Sequence, residues 1–247
     1  MYRKILIYGL YVLAACYLIF ALVILPGKED NSRCKGAFIN IASCDDEILN
    51  RENVIELLGE NGLDPNGKAM DSIVCRDIER FIQGLSVVEK CEAYKTTAGY
   101  VDISIECRTP ILKVLERNGN EFYIDSAGNR ITNLHKTLYV PVATGCITEE
   151  MIAADVKEIA KAISKSRFWS AQTEQIYFDE NRNIIIVPRV GDHIIEFGTV
   201  DNAAGKLDKL YTFYKKGLSE IGWNKHSKLN VEFGNKVIAT VRDKKNN

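Results

Sequence analysis

Residues 100–108 read Tyr-Val-Asp-Ile-Ser-Ile-Glu-Cys-Arg, and their alternation decides the class of fold. Val101, Ile103, Ile105 and Cys107 fall on one side of an extended chain, and Asp102, Ser104, Glu106 and Arg108 on the other. That two-residue period is the mark of a half-buried strand. Cys107 lies on the apolar side, where a free thiol packs as a small hydrophobe. Immediately upstream, Thr97-Ala98-Gly99 has hairpin-turn composition and residues 87–96 read as the partner strand. Two helices are expected before that. One covers residues 45–58, with Ile48, Ile55 and Leu58 at helical spacing, and is ended by Asn61-Gly62 and the turn Pro65-Asn66-Gly67. The other begins near Asp71, which can cap it, and carries Val74, Ile78, Phe81 and Leu85 as its apolar stripe. A short β-prone segment at 37–41 precedes both, and Pro110 ends or edges the alternating strand. The order is β-α-α-β-β.

Past residue 110 the texture changes. Residues 121–124 read as a strand closing on the turn Asp125-Ser126-Ala127-Gly128. Thr148 is placed to cap a helix, with Glu149 and Glu150 in a first turn that favours negative charge. Ile152, Val156, Ile159 and Ile163 then share one face. A long hairpin is expected from 174–178 and 184–187, and Pro188-Arg189-Val190-Gly191-Asp192 breaks the chain before a strand at 193–197. A helix over 206–221 turns Leu207, Leu210, Tyr214, Leu218 and Ile221 inward. Strands at 228–233 and 236–242 follow, joined through Gly234-Asn235. With elements interspersed and no internal repeat, the fold class is α+β: a mixed, largely antiparallel sheet with two flanking helices behind the first domain.

The 247 residues are 46% hydrophobic and 26% charged with 17 Gly and 5 Pro, which excludes collagenous, low-complexity and largely disordered chains. A net charge of −1 gives no electrostatic reason to bind nucleic acid. The one asymmetry is N-terminal. Residues 5–25 contain no charge and hold 13 Leu, Ile, Val or Phe. As a helix they would extend about 31 Å, the thickness of a hydrocarbon core. Arg3 and Lys4 precede the run, so the positive-inside rule places residues 1–4 in the cytoplasm and about 220 residues outside. A single uncleaved anchor is the favoured reading. The alternatives are a lipoprotein site at Leu13-Ala14-Ala15-Cys16 and a cleaved secretory signal, and each also exports the remainder.

Six cysteines, Cys34, Cys44, Cys75, Cys91, Cys107 and Cys146, fall in the exported part. An even six in an exported chain invites disulfides, with 15 possible connectivities, while about 220 residues of core also accommodate unpaired packed thiols. No C-x-x-C is present for zinc or for a redox helix. His135, His193 and His226 lack helical i, i+4 partners, and no H-E-x-x-H, Walker A, G-x-G-x-x-G or G-x-S-x-G occurs. Asp192 and His193 are adjacent on a strand and so point to opposite faces, against a Ser-His-Asp arrangement. The acidic run Asp45-Asp46-Glu47 lacks the spaced ligands of a calcium loop and suits a helix start. Trp169 and Trp223 read as core or rim aromatics. No catalytic or metal residues, no cofactor and no small-molecule substrate are expected.

The closing strand is the feature that invites a partner. Followed only by a short polar tail, it is expected at a sheet edge, where unpaired N–H and C=O groups can accept a further strand. Lys236 and Arg242 can equally act as gatekeepers against such pairing.

Three stretches carry a resemblance: Arg108-Thr109-Pro110-Ile111; Phe122-Tyr123-Ile124-Asp125 with Gly128; and Arg189-Val190-Gly191-Asp192-His193-Ile194-Ile195 with Phe197-Gly198. Gly222-Trp223-Asn224-Lys225 supports them. On these residues the chain resembles the FtsQ/DivIB family of bacterial division proteins, in its Bacteroidetes-type form. The resemblance implies a cytoplasmic tail (1–4), a transmembrane helix (5–25), a linker (26–33), a POTRA domain (34–110) and an FtsQ-type β domain (111–247). It implies a non-catalytic inner-membrane scaffold at the division septum that binds FtsB and FtsL and links early to late division proteins controlling septal peptidoglycan synthesis. Its partner-binding residues would be Phe233, Lys236, Val237, Ile238, Ala239, Thr240 and Val241, with Phe233, Val237 and Ala239 supplying specificity. An envelope-assembly POTRA protein, and after it an anchored exported enzyme, are the alternatives.

Overall fold

The computed structural model describes residues 13–14, 16–19, 33–45, 47–134, 136–218, 220, 222–233 and 236–242. The expected span at 5–25, His135, Ile221, the Gly234-Asn235 turn and the tail from Asp243 lie outside them, apart from residues 13–14 and 16–19 of the span. Among the described residues no helix is long and apolar enough to cross a membrane. One compact unit comprises the chain up to Asn40 with Arg51–Ile82 and Cys91–Ser104. The other comprises Ile41–Asn50, Gln83–Lys90 and the chain from Ile105.

The first elements are β1 (Ala37–Ala42), α1 (Arg51–Glu60), a 3₁₀ turn (Met70–Ser72), α2 (Cys75–Gln83), β2 (Val88–Lys95) and β3 (Val101–Cys107). The three strands form a sheet ordered β1-β3-β2. Val101, Ile103, Ile105 and Cys107 are all buried, as their alternation requires. Both helices start later than the sequence suggests. Asp45 closes a turn of its own, accepting from Glu47 N at 3.1 Å through Oδ1 and from Ile48 N at 2.8 Å through its carbonyl, so the acidic run does not open α1. Asp71 sits in the 3₁₀ turn, and Ile73 is extended (φ −80°, ψ 122°), so α2 begins at Cys75. The buried stripe of α2 is therefore Ile78 and Ile82, and Val74 is exposed.

The second sheet is built from β4 (Leu112–Leu115), β5 (Glu121–Ile124), β6 (Arg130–Ile131), β7 (Val142–Gly145), β8 (Thr173–Phe178), β9 (Ile184–Pro188), β10 (Ile194–Gly198), β11 (His226–Asn230) and β12 (Ile238–Val241). Its order is β12-β11-β10-β9-β8-β7-β4-β5-β6. It is more parallel than expected, since β4–β7, β7–β8 and β10–β11 all run in the same direction. The parallel pairs need crossovers; helices supply those of β7–β8 and β10–β11, while β5 and β6 lie between β4 and β7. Between β7 and β8 lie α3 (Glu149–Met151), a π-helical stretch (Ile152–Val156), α4 (Lys157–Ser164) and α5 (Arg167–Gln172). Between β10 and β11 lie α6 (Ala203–Phe213) and a second π-helical stretch (Tyr214–Leu218). Thr148 caps α3, its Oγ1 accepting from Met151 N at 3.3 Å.

Strands β4, β6 and β7 have no counterpart among the sequence expectations. β6 and β7 are too short, at 2 and 4 residues, to display a period, and β4 is only 4 residues long. The core of this unit joins one residue row of the sheet (Val114, Ile124, Ile176, Phe178, Ile186, Ile195, Phe197, Leu229) to the helix row Ile152, Val156, Ile159, Ile163, Leu207, Leu210, Tyr214 and Leu218. Trp169 is buried in it and its Nε1–H donates to the Leu207 carbonyl at 3.1 Å, which joins α5 to α6.

Candidate partner-docking edge

Strand β12 ends the larger sheet. It pairs antiparallel with β11 through Val241↔His226, Thr240↔Lys228, Ala239↔Leu229 and Ile238↔Asn230. Among the described residues no strand pairs with its other side. The irregularity in this ladder lies on β11, between His226 and Lys228, so alternation along β12 is unbroken. Arg242 N–H donates to the Lys225 carbonyl at 2.9 Å. Stepping back by two from Arg242, the backbone groups of Thr240 and Ile238 also face β11, and those of Val241 and Ala239 face the open side.

The side chains divide differently. Ala239 and Val237 pack against the core, while Ile238 (52% exposed) and Val241 (60%) present apolar surface to solvent. Phe233, just ahead of the strand, is 65% exposed. Lys236 and Thr240 are exposed as well. Of the three residues expected to give specificity, Phe233 is thus outward, whereas Val237 and Ala239 hold the strand down. The sequence reading did not single out Ile238 and Val241 as the accessible apolar pair. Ile238 lies on the face turned away from the core, whereas Val241 shares the face of Ala239 and is exposed at the strand's end; a four-residue strand carries too little pattern to show either.

Behind β12 the neighbouring strands are tied together both at the surface and in the core. Lys228 on β11 meets Glu196 on β10 at 2.7 Å, and Asn230 donates to the same carboxylate at 3.1 Å. The Lys228 hydrogen bond, followed by that of Asn230, holds the Glu196 carboxyl below its usual range. His193 is buried, sharing a 2.6 Å hydrogen bond between Nε2 and the Tyr214 hydroxyl. Tyr214 contacts Trp169, Phe168 and Trp223 edge-on, with ring centroids 5.3, 5.7 and 5.4 Å away. Edge-on aromatic contacts of this kind fix ring orientation as well as burying area. Burial, followed by the nearby charge of His226, lowers the His193 pKa. His193 is therefore a core residue paired with a tyrosine, and Asp192 beside it turns outward to another partner.

Among the described residues no group of three or more His, Cys, Asp and Glu is placed to hold a metal ion. The arrangement at β12 offers backbone donors and acceptors flanked by apolar side chains, which suits recognition of an extended peptide.

Comparison with known proteins is consistent with the architecture. Residues 109–240 match the family model described as FtsQ/DivIB, C-terminal related, and residues 32–106 match the POTRA-like domain model. No curated protein matches the chain.

Proposed function

From the premise that the chain belongs to the FtsQ/DivIB C-terminal-related family and carries a POTRA-like domain, we propose that it is a division scaffold whose β12 edge docks FtsB and FtsL. The family consists of membrane-anchored, generally non-catalytic division proteins, and its domains point to a cell-division scaffold. In this reading residues 5–25 anchor the chain once in the inner membrane, with residues 1–4 inside. The POTRA domain (34–110) and the β domain (111–247) face the periplasm at the septum and tie early to late division proteins controlling septal peptidoglycan synthesis.

The observation that carries the reading is the open edge of β12 with Phe233, Ile238 and Val241 exposed beside it. A partner strand added there gains main-chain hydrogen bonds from Ala239 and Val241 and apolar contacts from Ile238 and Val241. Proline separates this mode from others. At Val241 it removes an N–H that faces the open side, which an edge strand tolerates, whereas at Ile238 it removes one that faces β11.

The test combines photo-crosslinking in cells from a probe at Val241 with binding by the purified Val241→Pro chain. Crosslinks to FtsB or FtsL, together with lost binding by a folded Val241→Pro protein, are expected. Unchanged binding by that variant, or crosslinks only to envelope-assembly proteins, would overturn the proposal.

A further inference from the structure

All seven cysteines are unbonded thiols in the structure, and two of them hydrogen-bond to a group other than sulfur. Cys34 donates to the Gly36 carbonyl at 3.3 Å. The Cys146 sulfur accepts from Arg117 at 2.8 Å. Cys91 is buried on β2, and burial, with the charge of Glu79, pushes its thiol up to about 11. Cys44 and Cys107 differ, because each thiol lies within electrostatic reach of the other.

Chain geometry explains the approach. β1 and β3 are neighbours in the three-stranded sheet. Lys35 N–H donates to the Gly99 carbonyl at 2.8 Å and Val101 N–H to the Gly36 carbonyl at 3.1 Å, the slanted pattern of strands running the same way. Carried along both strands, that register brings Cys107, at the end of β3, level with Ser43, the residue before Cys44. Ser43 is left-handed (φ 60°) and turns the chain where β1 ends. Cys107 is buried, while Cys44 is partly exposed and lines a cleft of about 310 Å³ with Val87, Arg108 and Thr109. One thiol is thus reachable from solvent and the other waits behind it.

We propose that Cys44 and Cys107 are the protein's redox pair, closing to a disulfide where the chain faces an oxidising compartment. The inference rests on the exported placement given above for its setting in the cell, and on the geometry alone for its chemistry. Burial, followed by the proximity of the Cys44 thiol, pushes the Cys107 thiol well up, so it is a poor first nucleophile. The accessible Cys44 thiolate attacks one sulfur of a disulfide co-reactant such as glutathione disulfide, forming a mixed disulfide and releasing one thiolate. Cys107 then attacks the Cys44 sulfur, its proton passing to the second departing glutathione thiolate. Two protein thiols are oxidised to one disulfide and one glutathione disulfide is reduced to two thiols. The bond closes a loop reaching from the end of β1 to the end of β3, and stabilisation by a cross-link grows with loop length.

The experiment treats the full purified chain with glutathione disulfide, alkylates the remaining thiols and maps peptides by mass spectrometry. A Cys44–Cys107 linked peptide is expected, lost in both Cys44→Ser and Cys107→Ser. In Cys107→Ala, a glutathione adduct should persist on Cys44, and Cys44→Ser keeps the test valid should the buried Cys107 variants misfold. The oxidised chain should melt roughly 5–15 °C above the reduced one. No linked peptide, or Cys34–Cys75 linkage in its place, would overturn the proposal. Alkylation directly in cells separates the two readings: a pair that closes in the tube yet stays reduced in cells supports the pairing and overturns the exported placement.

Discussion

Arg242, at the end of β12, reaches across β11 to Asp192 in the turn before β10. Its Nη1 lies 2.7 Å from Asp192 Oδ2, and its other terminal nitrogen donates to the Asp192 carbonyl. The side chain proposed from sequence as a guard against stray pairing is therefore turned back onto its own sheet. Its role is to hold down the end of the edge strand.

Removing that tie should loosen the edge strand more than the fold. An exposed ion pair contributes less than about 1 kcal/mol, so Arg242→Ala should lower global stability only slightly in urea melts. Amide hydrogen exchange at Thr240 and at position 242, whose N–H groups face β11, should nonetheless quicken several-fold, since the strand end opens locally. Partner binding in the same variant should weaken and lose part of its salt dependence.

Acid should weaken the unit through His193. Its folded-state pKa lies below the ordinary 6.5 because of burial first, then the positive charges of His226 and Arg242, against the opposing Asp192 and a Trp223 backbone contact. A histidine kept neutral by the fold binds fewer protons there than in the unfolded chain, so its contribution is present above 6.5 and is lost as pH falls below it. Urea midpoints at pH 7.5 and 5.5 should show the protein weaker at 5.5, in a window above the carboxylate titrations. His193→Gln should flatten that slope while lowering stability at pH 7.5.

Gly145→Ala should be among the costliest single-methyl changes in the protein. Gly145 has φ 105°, pairs with Phe178 across β7 and β8, and a Cβ there would lie 2.1 Å from the Phe178 carbonyl oxygen. The obstacle is backbone in the centre of the sheet, so relief requires the strands to part. A loss of about 2–4 kcal/mol in chemical denaturation is expected.

Asp125→Ala should unravel a turn rather than remove one contact. Asp125 accepts from Ala127 N at 2.9 Å, Asn129 N at 2.8 Å, Asn129 Nδ2 at 2.9 Å and Arg108 Nη1 at 2.8 Å. Burial alone would raise its pKa, and the bonds from Asn129, Arg108 and Ala127 together outweigh it and hold the carboxyl low. Truncation leaves the Arg108 charge and two N–H groups without their acceptor, a loss of about 2–4 kcal/mol measurable by urea denaturation at pH 7. Asp125→Asn should recover part of it.

Local pattern carried much of this protein on its own. The alternation at 100–108, the Thr148 cap, the hairpin at 174–187 and the inward row from Leu207 to Leu218 all follow from spacing within one element, and all stand in the structure. Burial of a face is dictated by period, and period is written along the chain. What depends on distant residues was decided only by the tertiary structure. The parallel pairings β4–β7 and β10–β11 bring together segments far apart in sequence. The α1 boundary moved because Asp45 satisfies a turn before the helix can start. The exposure of Ile238 and Val241, and the approach of Cys44 to Cys107 out of many conceivable cysteine pairings, likewise depend on which strands lie side by side. Pairing partners and register are set by the packing of whole sheets against helices, and no short stretch of a chain contains that information.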